Sequence, residues 1–397
     1  MTRIQPRIAV MLALAAFVHH GAASAQAQRM PFELVRALRA AQDRIAHGDA
    51  AAQESQRQLL TAIGAQMKRV DSAAWKDPRN ARAAVIYVLS GGDPSVLETL
   101  HRRGAVGGLE DNLVRGALGY SLGRSAEAEL LLEIDARQLD PAMAGHVALV
   151  QSTLALQKDA GKALKLLDQA RLSSPGTLIE EAALRRQAFL ALAAGERDRF
   201  EAVSSRYLRR FGDSVYAASF RRQFATEVVG QKYAVDAARL KRIEAILAVL
   251  PVSQRLDIYV AIAAEGVVRG KVEATIMAAA RASELATQGS RAKARAELYK
   301  GAALVASEEL PAGVAALKGL DASQLDRADR ELLDAALVLS DEIRRWPDTA
   351  HAAGEIRQIE AKAAEAERPI VLATAKALAA ARSLNSRVDQ LLGGAVK

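Results

Sequence analysis

The histidines are the first residues to examine for chemistry, because imidazole is a common metal ligand and a common general base. Four of them lie beyond the N-terminal segment: His47, His101, His146 and His351. No two are three or four residues apart and no HExxH pattern occurs, so their spacing does not predict a zinc site on one helix face. The chain has no cysteine, which excludes thiol chemistry. We therefore predict no metal site and no cofactor.

Glu54 is the second candidate for catalysis, because Ser55 follows it. Lytic transglycosylases cut peptidoglycan with one glutamate in such a Glu-Ser pair, followed by a substrate groove rich in glycine and aromatic residues. Here the pair falls on the polar face of a predicted helix, and no groove sequence follows. The sequence predicts that the protein is not an enzyme. The alternative is a peptidoglycan-cleaving enzyme with a helical superhelix.

Five arginines lie close together in the sequence around a predicted turn: Arg206, Arg209, Arg210, Arg221 and Arg222. Arginine is favoured at protein interfaces because its planar guanidinium group pairs with carboxylates. We predict that these five residues bind an acidic surface of a partner protein. The alternative is that they are solvated residues at helix ends, where positive charge complements the helix dipole.

The overall composition restricts both the partners and the fold. The net charge of +8 is small for 397 residues, and no basic run with interleaved aromatic residues occurs, so nucleic acid is not a predicted partner. Hydrophobic residues make up 50% of the chain and aromatic residues only 4%. The apolar content is therefore mainly alanine, leucine and valine, which favours helices over sheets.

The N-terminal segment has the three parts of a secretory signal peptide. Arg3 and Arg7 give a positive start, residues 8–18 form an apolar run of 11 residues, and Ala23-x-Ala25 supplies a cleavage site. The apolar run is shorter than the roughly 20 residues that cross a bilayer. We predict that residues 1–25 are removed and that the mature protein is periplasmic, with no membrane span. The alternative is a buried N-terminal helix.

Capping patterns predict where several helices begin. Asp-Pro pairs at 77–78, 93–94 and 140–141 place a carboxylate at the N-cap and proline at the first helical position. Apolar residues recur at helical spacing along 31–47 and 52–70, and the short Gly48-Asp49 turn joins these segments into an antiparallel hairpin. Residues 85–89 would suit a strand, but their place between cap signals favours a buried helix.

From residue 107 the pattern becomes periodic, with a helix, a turn of small residues and a second helix. The pairs are 109–122 with 126–138, 142–157 with 161–172, and 178–193 with 200–211. Pro141 and Pro175 are 34 residues apart, which is the length of a tetratricopeptide repeat. Further helices are predicted over 254–268, 271–287, 291–307, 311–319 and 324–345. The predicted fold is all-α, an elongated array of antiparallel helical hairpins that forms a degenerate tetratricopeptide-like α-solenoid with a face for binding a protein segment.

These patterns divide the chain into five predicted segments. They are the signal peptide 1–25, N-terminal helical hairpins 26–106, tetratricopeptide-like repeats 107–250, further helical hairpins 251–348 and charged C-terminal helices 349–397. The last segment is rich in alanine and has a narrow apolar stripe. It has two interpretations: helices that lie back on the last repeat, or helices that form a coiled coil or dock on a partner.

Several segments together resemble the MotC family of periplasmic motility proteins, most strongly over residues 30–225. They are Pro31–Arg36 leading to Gly48-Asp49, Gln56–Leu60, Trp75–Asn80, Tyr87–Gly92, Ala117–Tyr120 with Gly123, and Leu184–Ala188 leading to Tyr207–Phe211. The resemblance implies a non-enzymatic exported protein that is needed for flagellar rotation and binds the periplasmic part of the stator subunit MotB. It carries over no catalytic residue. The alternative function is a periplasmic helical-repeat adaptor for envelope assembly or polysaccharide export.

Overall fold

The computed structural model describes residues 29–106, 108–230, 233 and 236–345. Within these residues the chain forms seventeen α-helices and no strand, and neighbouring helices pack as hairpins. The predicted all-α array of helical hairpins is therefore confirmed. None of the described helices is long and apolar enough to cross a membrane. The predicted signal peptide 1–25 and C-terminal segment 349–397 lie outside the described residues.

The chain divides into two compact units, Met1–Ala218 and Ser219–Lys397. The helices of unit 1 pair mainly with their neighbours in sequence, most extensively α7 with α8 and α9 with α10. The bounds of these helices are α1 Pro31–Ala46, α2 Ala50–Met67, α3 Pro78–Leu89, α4 Pro94–Arg102, α5 Asp111–Ser121, α6 Ser125–Leu131, α7 Pro141–Ala155, α8 Ala160–Ser173, α9 Leu178–Ala193 and α10 Arg197–Phe211.

Each Asp-Pro pair begins a helix, as predicted. In all three cases the aspartate carboxylate accepts a hydrogen bond of 2.9 Å from the backbone N–H two residues later; the caps are Asp77, Asp93 and Asp140. The proline then takes the first position of α3, α4 or α7, where it leaves no N–H unpaired. Residues 85–89 lie inside α3, so the buried-helix interpretation of this segment is confirmed.

The predicted helix 126–138 is wrong in its second half. α6 ends at Leu131, and a turn and a short 3-10 helix replace the rest of it. Gln151 of α7 stabilises this break, because its Nε2 atom donates hydrogen bonds to the carbonyl oxygens of Leu132 and Ile134, both at 2.7 Å. A continuous helix would satisfy these carbonyls itself. The end of α6 thus depends on Gln151, which lies outside residues 126–138. The sequence pattern of that segment alone therefore could not predict it.

Tyr87 lies at the centre of the core in the first half of unit 1. Its hydroxyl group donates to the carbonyl oxygen of Leu60 at 3.1 Å and accepts a hydrogen bond from the Asp93 N–H at 2.9 Å. Two glycines make room for this side chain. A Cβ atom would lie 2.4 Å from the hydroxyl oxygen at Gly64 and 2.3 Å from the ring at Gly92. Tyr87 therefore fixes the approach of α2 to the turn that follows α3.

Unit 1 also contains a contact between its two ends. α1 packs against α9 as well as against α2 and α3. In the last turn of α1, the carbonyl oxygen of Ile45 accepts a hydrogen bond of 3.3 Å from the N–H of Val215. Gly48 has a φ of +99°, and a Cβ atom there would lie 2.6 Å from the carbonyl oxygen of Asp213. Residues 45–48 and 213–215 thus form a closing contact in addition to the stacking of successive hairpins.

Unit 2 begins in the first turn of α11 and contains the remaining helices. The predicted helices after Pro251 correspond to α13 to α16, and α13 packs most extensively on α14. The bounds are α11 Ala217–Val229, α12 Ala237–Leu247, α13 Val252–Val268, α14 Val272–Leu285, α15 Arg291–Val305, α16 Leu310–Lys318 and α17 Arg327–Arg345. The boundary between the units falls inside the predicted repeat segment 107–250, and the five predicted segments stay a prediction.

The last predicted helix, 324–345, is shorter at its start than predicted, and its second half is partly exposed. α17 begins at Arg327, after a 3-10 turn that Asp321 caps. Leu333 and Ala336 are buried, but Leu339 and Ile343 are 48% and 40% exposed. The apolar side of α17 is therefore only partly covered in its second half.

Candidate protein-binding surface

The five predicted partner-binding arginines are divided between the two units. Arg206, Arg209 and Arg210 are exposed near the end of α10 in unit 1. Arg221 is half-buried and Arg222 is exposed, and both lie on α11 in unit 2. Within one unit the structure brings together only the first three. The role of these arginines in binding stays a prediction.

Two of the α10 arginines already have partners within unit 1. The Nη2 atom of Arg210 lies 2.9 Å from Oε2 of the buried Glu180, which also accepts a hydrogen bond from the Gly176 N–H at 2.6 Å. The Nη2 atom of Arg209 donates to Ser205 Oγ at 3.2 Å. Because Arg210 compensates a buried carboxylate, its replacement would disturb folding as well as binding.

A fully buried carboxylate, Glu181 of α9, lies beneath α10. Its Oε1 atom accepts hydrogen bonds from Arg185 Nε at 3.0 Å and from the Tyr207 hydroxyl group at 2.8 Å. Burial works to lower the pKa of Arg185, but its hydrogen bond and ion pair with Glu181 outweigh this effect and raise the pKa. These three side chains hold α10 on α9 and thereby fix the helix that carries Arg206, Arg209 and Arg210.

A second basic surface, which the sequence pattern did not predict, lies between α1 and α3. We call it the arginine groove. It has a volume of about 470 Å³ and is lined by Arg36 and Arg39 of α1 and by Arg79 and Arg82 of α3. Each helix carries its two arginines three residues apart, so they lie on one face. That spacing is the only signal in the sequence, since tertiary packing decides that the two faces meet.

Asn80 fixes α1 and α3 relative to each other at the wall of the groove. It is 2% exposed, its Oδ1 atom accepts a hydrogen bond from the Phe32 N–H at 3.1 Å, and its Nδ2 atom donates to the Ala74 carbonyl oxygen at 2.8 Å. The guanidinium carbons of Arg79 and Arg36 lie 4.5 and 5.7 Å from the centre of the Phe32 ring. Because an aromatic face attracts cations, Phe32 orients two of the four arginines.

The two arginines of α3 are paired with carboxylates, but those of α1 are not. Arg79 donates to Asp77 Oδ2 from Nε at 3.0 Å and from Nη2 at 2.8 Å, and these hydrogen bonds hold the pKa of Asp77 below its usual range. Arg82 Nε lies 3.4 Å from Asp140 Oδ2. Arg36 and Arg39 form no ion pair within the part of the chain that the structure describes. The groove thus presents two guanidinium groups that form no direct ion pair there, and the charge of one of them, Arg39, acts on the nearby Asp43.

The histidines are not grouped with other potential metal ligands. Among residues 29–106, 108–230, 233 and 236–345, no three histidine, aspartate or glutamate side chains are placed so that they could hold a metal ion. His47 Nδ1 lies 2.7 Å from the Asp43 carbonyl oxygen, and His101 Nδ1 lies 3.5 Å from Asp111 Oδ1. His351 lies outside the described residues.

Two serines with a possible catalytic context are bonded to their own helices. Glu54 is exposed on α2, and the neighbouring Ser55 donates from Oγ to the Ala51 carbonyl oxygen at 2.9 Å. Gly119–Gly123 has the G-x-S-x-G spacing of hydrolase nucleophile elbows, which require a turn from strand to helix. Here Ser121 is the last residue of α5 and donates to the Ala117 carbonyl oxygen at 2.8 Å. Neither the Glu54-Ser55 pair nor the Gly119–Gly123 segment has the local structure that its catalytic motif requires.

His146 of α7 is a buried core residue. It is 4% exposed, and neither ring nitrogen has a hydrogen-bond partner among the described residues. Burial lowers the pKa of His146 to about 4; the positive charge of Arg39 acts in the same direction, and the backbone of Ala142 acts against it. The imidazole is therefore neutral in the folded protein at neutral pH.

This burial makes folding sensitive to acid. Since the pKa of His146 is about 4 when folded and about 6.5 when unfolded, the unfolded state binds more protons between these pH values. The free energy of unfolding should fall by about 3 kcal/mol as the pH drops from 6.5 to 4. Urea unfolding at several pH values measures this. His146→Leu should remove this component, and parallel pH curves for the two proteins would contradict the prediction.

Two comparisons with known proteins agree with each other. A family model described as "Chemotaxis protein MotC" matches residues 1–396. A curated chemotaxis protein MotC from Rhizobium meliloti (strain 1021) is 32% identical over 319 residues, which are 80% of this chain and 73% of that protein. Both matches extend across the boundary between unit 1 and unit 2.

Proposed function

Because the chain belongs to the MotC family of chemotaxis proteins, we propose that it is a non-enzymatic periplasmic protein that is required for flagellar rotation. It acts by binding the periplasmic part of the stator subunit MotB. The observation that carries this proposal is the match of the family model to residues 1–396. Motility is the function that this family implies.

The N-terminal sequence supports the periplasmic location. A positive start, an apolar run of 11 residues and a small-residue cleavage site form a pattern for export and removal. The absence of cysteine is compatible with that compartment, because a chain of this length can bury enough apolar surface without disulfides.

The exposed arginines support binding to a protein. Arginine is enriched at protein interfaces, where its guanidinium group forms ion pairs with carboxylates of the partner. Unit 1 presents arginines both on α10 and in the arginine groove, on elements that buried polar contacts hold in place. A partner with an acidic surface would complement both places.

Deletion of the gene tests the role in motility. We expect cells with a normal number of filaments that do not swim, because the motor would be built but not energised. The full chain should restore swimming, whereas a chain without residues 2–25 should not. Electron microscopy of filaments and tracking of cells give the two readouts. Normal swimming would overturn the motility assignment, and rescue by the shortened chain would overturn the periplasmic location.

Binding to MotB needs a separate measurement. The purified chain without its signal segment and the periplasmic region of MotB should elute together on size-exclusion chromatography. Separate elution, with a deletion strain that still lacks motility, would refute the MotB partner and leave a periplasmic adaptor. Hydrolysis of purified peptidoglycan that Glu54→Gln abolishes would instead support the lytic enzyme.

A further inference from the structure

We propose that the arginine groove binds an extended acidic segment of a partner protein, with carboxylates of that segment paired to Arg36 and Arg39. The proposal rests on the proposed function in one respect, namely that the partner is a protein. It goes further by assigning the site and the chemistry of the segment that occupies it.

The first step in the argument is the state of the four arginines. Arg79 is held by Asp77 and Arg82 by Asp140. The guanidinium groups of Arg36 and Arg39 have no ion-pair partner among the described residues. Asp43 also lines the groove; burial raises its pKa, and the charge of the nearby Arg39 acts against this rise. A guanidinium fork forms its strongest hydrogen bonds with carboxylates.

The second step is the shape and composition of the groove. Its volume of about 470 Å³ lies within the range of sites that enclose a ligand. The floor of the groove is formed by the apolar residues Phe32, Ala40 and Ala142, which are half-buried or exposed. An extended peptide places successive side chains on opposite sides. Such a segment can therefore direct acidic side chains to Arg36 and Arg39 and small apolar side chains to the floor.

The third step is the rigidity of the site. The Asn80 hydrogen bonds join the start of α1 to α3, and the Phe32 ring lies near the Arg36 and Arg79 guanidinium groups. A site whose side chains are already oriented loses less conformational entropy on binding. The α10 surface differs in availability, because Arg210 is already paired with the buried Glu180.

The apolar floor of the arginine groove favours a peptide over a small anion as the ligand. A phosphate ion would use the guanidinium groups but would leave the accessible apolar surface of Phe32, Ala40 and Ala142 in water. A protein segment covers both, which is the usual anatomy of an interface with apolar centre and polar rim. Binding of a small anion is accordingly an outcome that would overturn the proposal.

The test uses a fluorescent decapeptide of alternating glutamate and alanine, with a peptide that has glutamine for glutamate as its control. Binding to the full chain without its signal segment is measured by fluorescence anisotropy. We expect the Arg36→Gln/Arg39→Gln variant to bind the acidic peptide about tenfold more weakly, because it loses charge-assisted hydrogen bonds. Added salt should weaken binding to the unaltered chain. Circular dichroism checks that each variant is folded.

Arg327→Gln/Arg330→Gln is the matched control, since it removes the same charge from two exposed positions that are also three residues apart, on α17 of unit 2. It should change the affinity by less than about twofold, within the effect expected of exposed charges outside the groove. Equal losses in the two double variants would overturn the groove as the site. So would no binding to the unaltered chain, equal binding of the glutamine peptide, or full displacement by millimolar inorganic phosphate.

The same variants separate this proposal from the proposed function. If the unaltered chain captures the MotB periplasmic region while the Arg36→Gln/Arg39→Gln variant captures neither it nor the acidic peptide, both proposals are supported. If both chains capture MotB equally and bind the peptide equally, the groove proposal fails and the function stands. If no chain captures MotB but the peptide shows the expected pattern, the groove stands and the MotB partner is wrong.

Discussion

Replacement of Gly48 by alanine is expected to lower the free energy of unfolding of unit 1 by about 4 kcal/mol. Its φ of +99° is a conformation that costs a residue with a side chain roughly 1–2 kcal/mol. The new methyl group would also lie 2.6 Å from the Asp213 carbonyl oxygen, so the backbone of one turn must move. Overpacking of this kind costs roughly 1–3 kcal/mol. Urea unfolding followed by circular dichroism measures the total.

Gly91→Ala is the matched control for this prediction. Gly91 has a φ of +90°, but a Cβ atom there would meet nothing within 4 Å. Its replacement should therefore cost only the conformational part, roughly 1–2 kcal/mol. The difference between the variants measures the contact between residues 45–48 and 213–215. Equal losses would show that this contact contributes nothing to stability.

Replacement of Arg185 by alanine should destabilise unit 1 by about 3–5 kcal/mol. The side chain of Glu181 is 0% exposed, and without Arg185 its remaining side-chain hydrogen bond among the described residues would be the one from Tyr207. A buried charge without its partner is far more costly than a broken pair at the surface. Urea unfolding of the two chains at neutral pH measures the loss.

Arg115→Ala provides the comparison at the surface. Arg115 pairs with Asp111 over the same four-residue spacing, at 3.5 Å, but the two side chains are 46% and 59% exposed. Such pairs contribute roughly 0.2–1 kcal/mol, so this variant should stay close to the unaltered chain. A loss of stability in Arg185→Ala no larger than in Arg115→Ala would mean that the Glu181 network does not stabilise the fold.

Helix positions could be predicted where neighbouring residues determine them. The Asp-Pro pairs mark the first residues of α3, α4 and α7 because the cap and the proline act within two residues of each other. The end of α6 could not be predicted, since the Gln151 side chain from another helix satisfies the freed carbonyls. Local rules therefore predict where helices begin better than where tertiary contacts interrupt them.

The two candidate binding surfaces also depend on tertiary contacts that the sequence pattern does not show. Nearness in sequence suggested one patch of five arginines, but a unit boundary at residues 218 and 219 lies between Arg210 and Arg221. The arginine groove, in contrast, joins residues 36 and 39 to residues 79 and 82 through the packing of α1 on α3. Its two halves are visible in the sequence only as separate pairs of arginines. The prediction of a role in motility came from the family resemblance alone and not from any single residue or motif.

The contact between residues 45–48 and 213–215 also affects the order in which unit 1 folds. Hairpins such as α7–α8 join residues close in sequence, so they form early, whereas joining the two ends of the unit costs more loop entropy and comes late. Late contacts chiefly slow unfolding, so Gly48→Ala should raise the unfolding rate more than it lowers the folding rate. If the chain is exported as proposed, with its N-terminus first, α1 cannot contact residues 213–215 until nearly all of unit 1 has crossed the membrane.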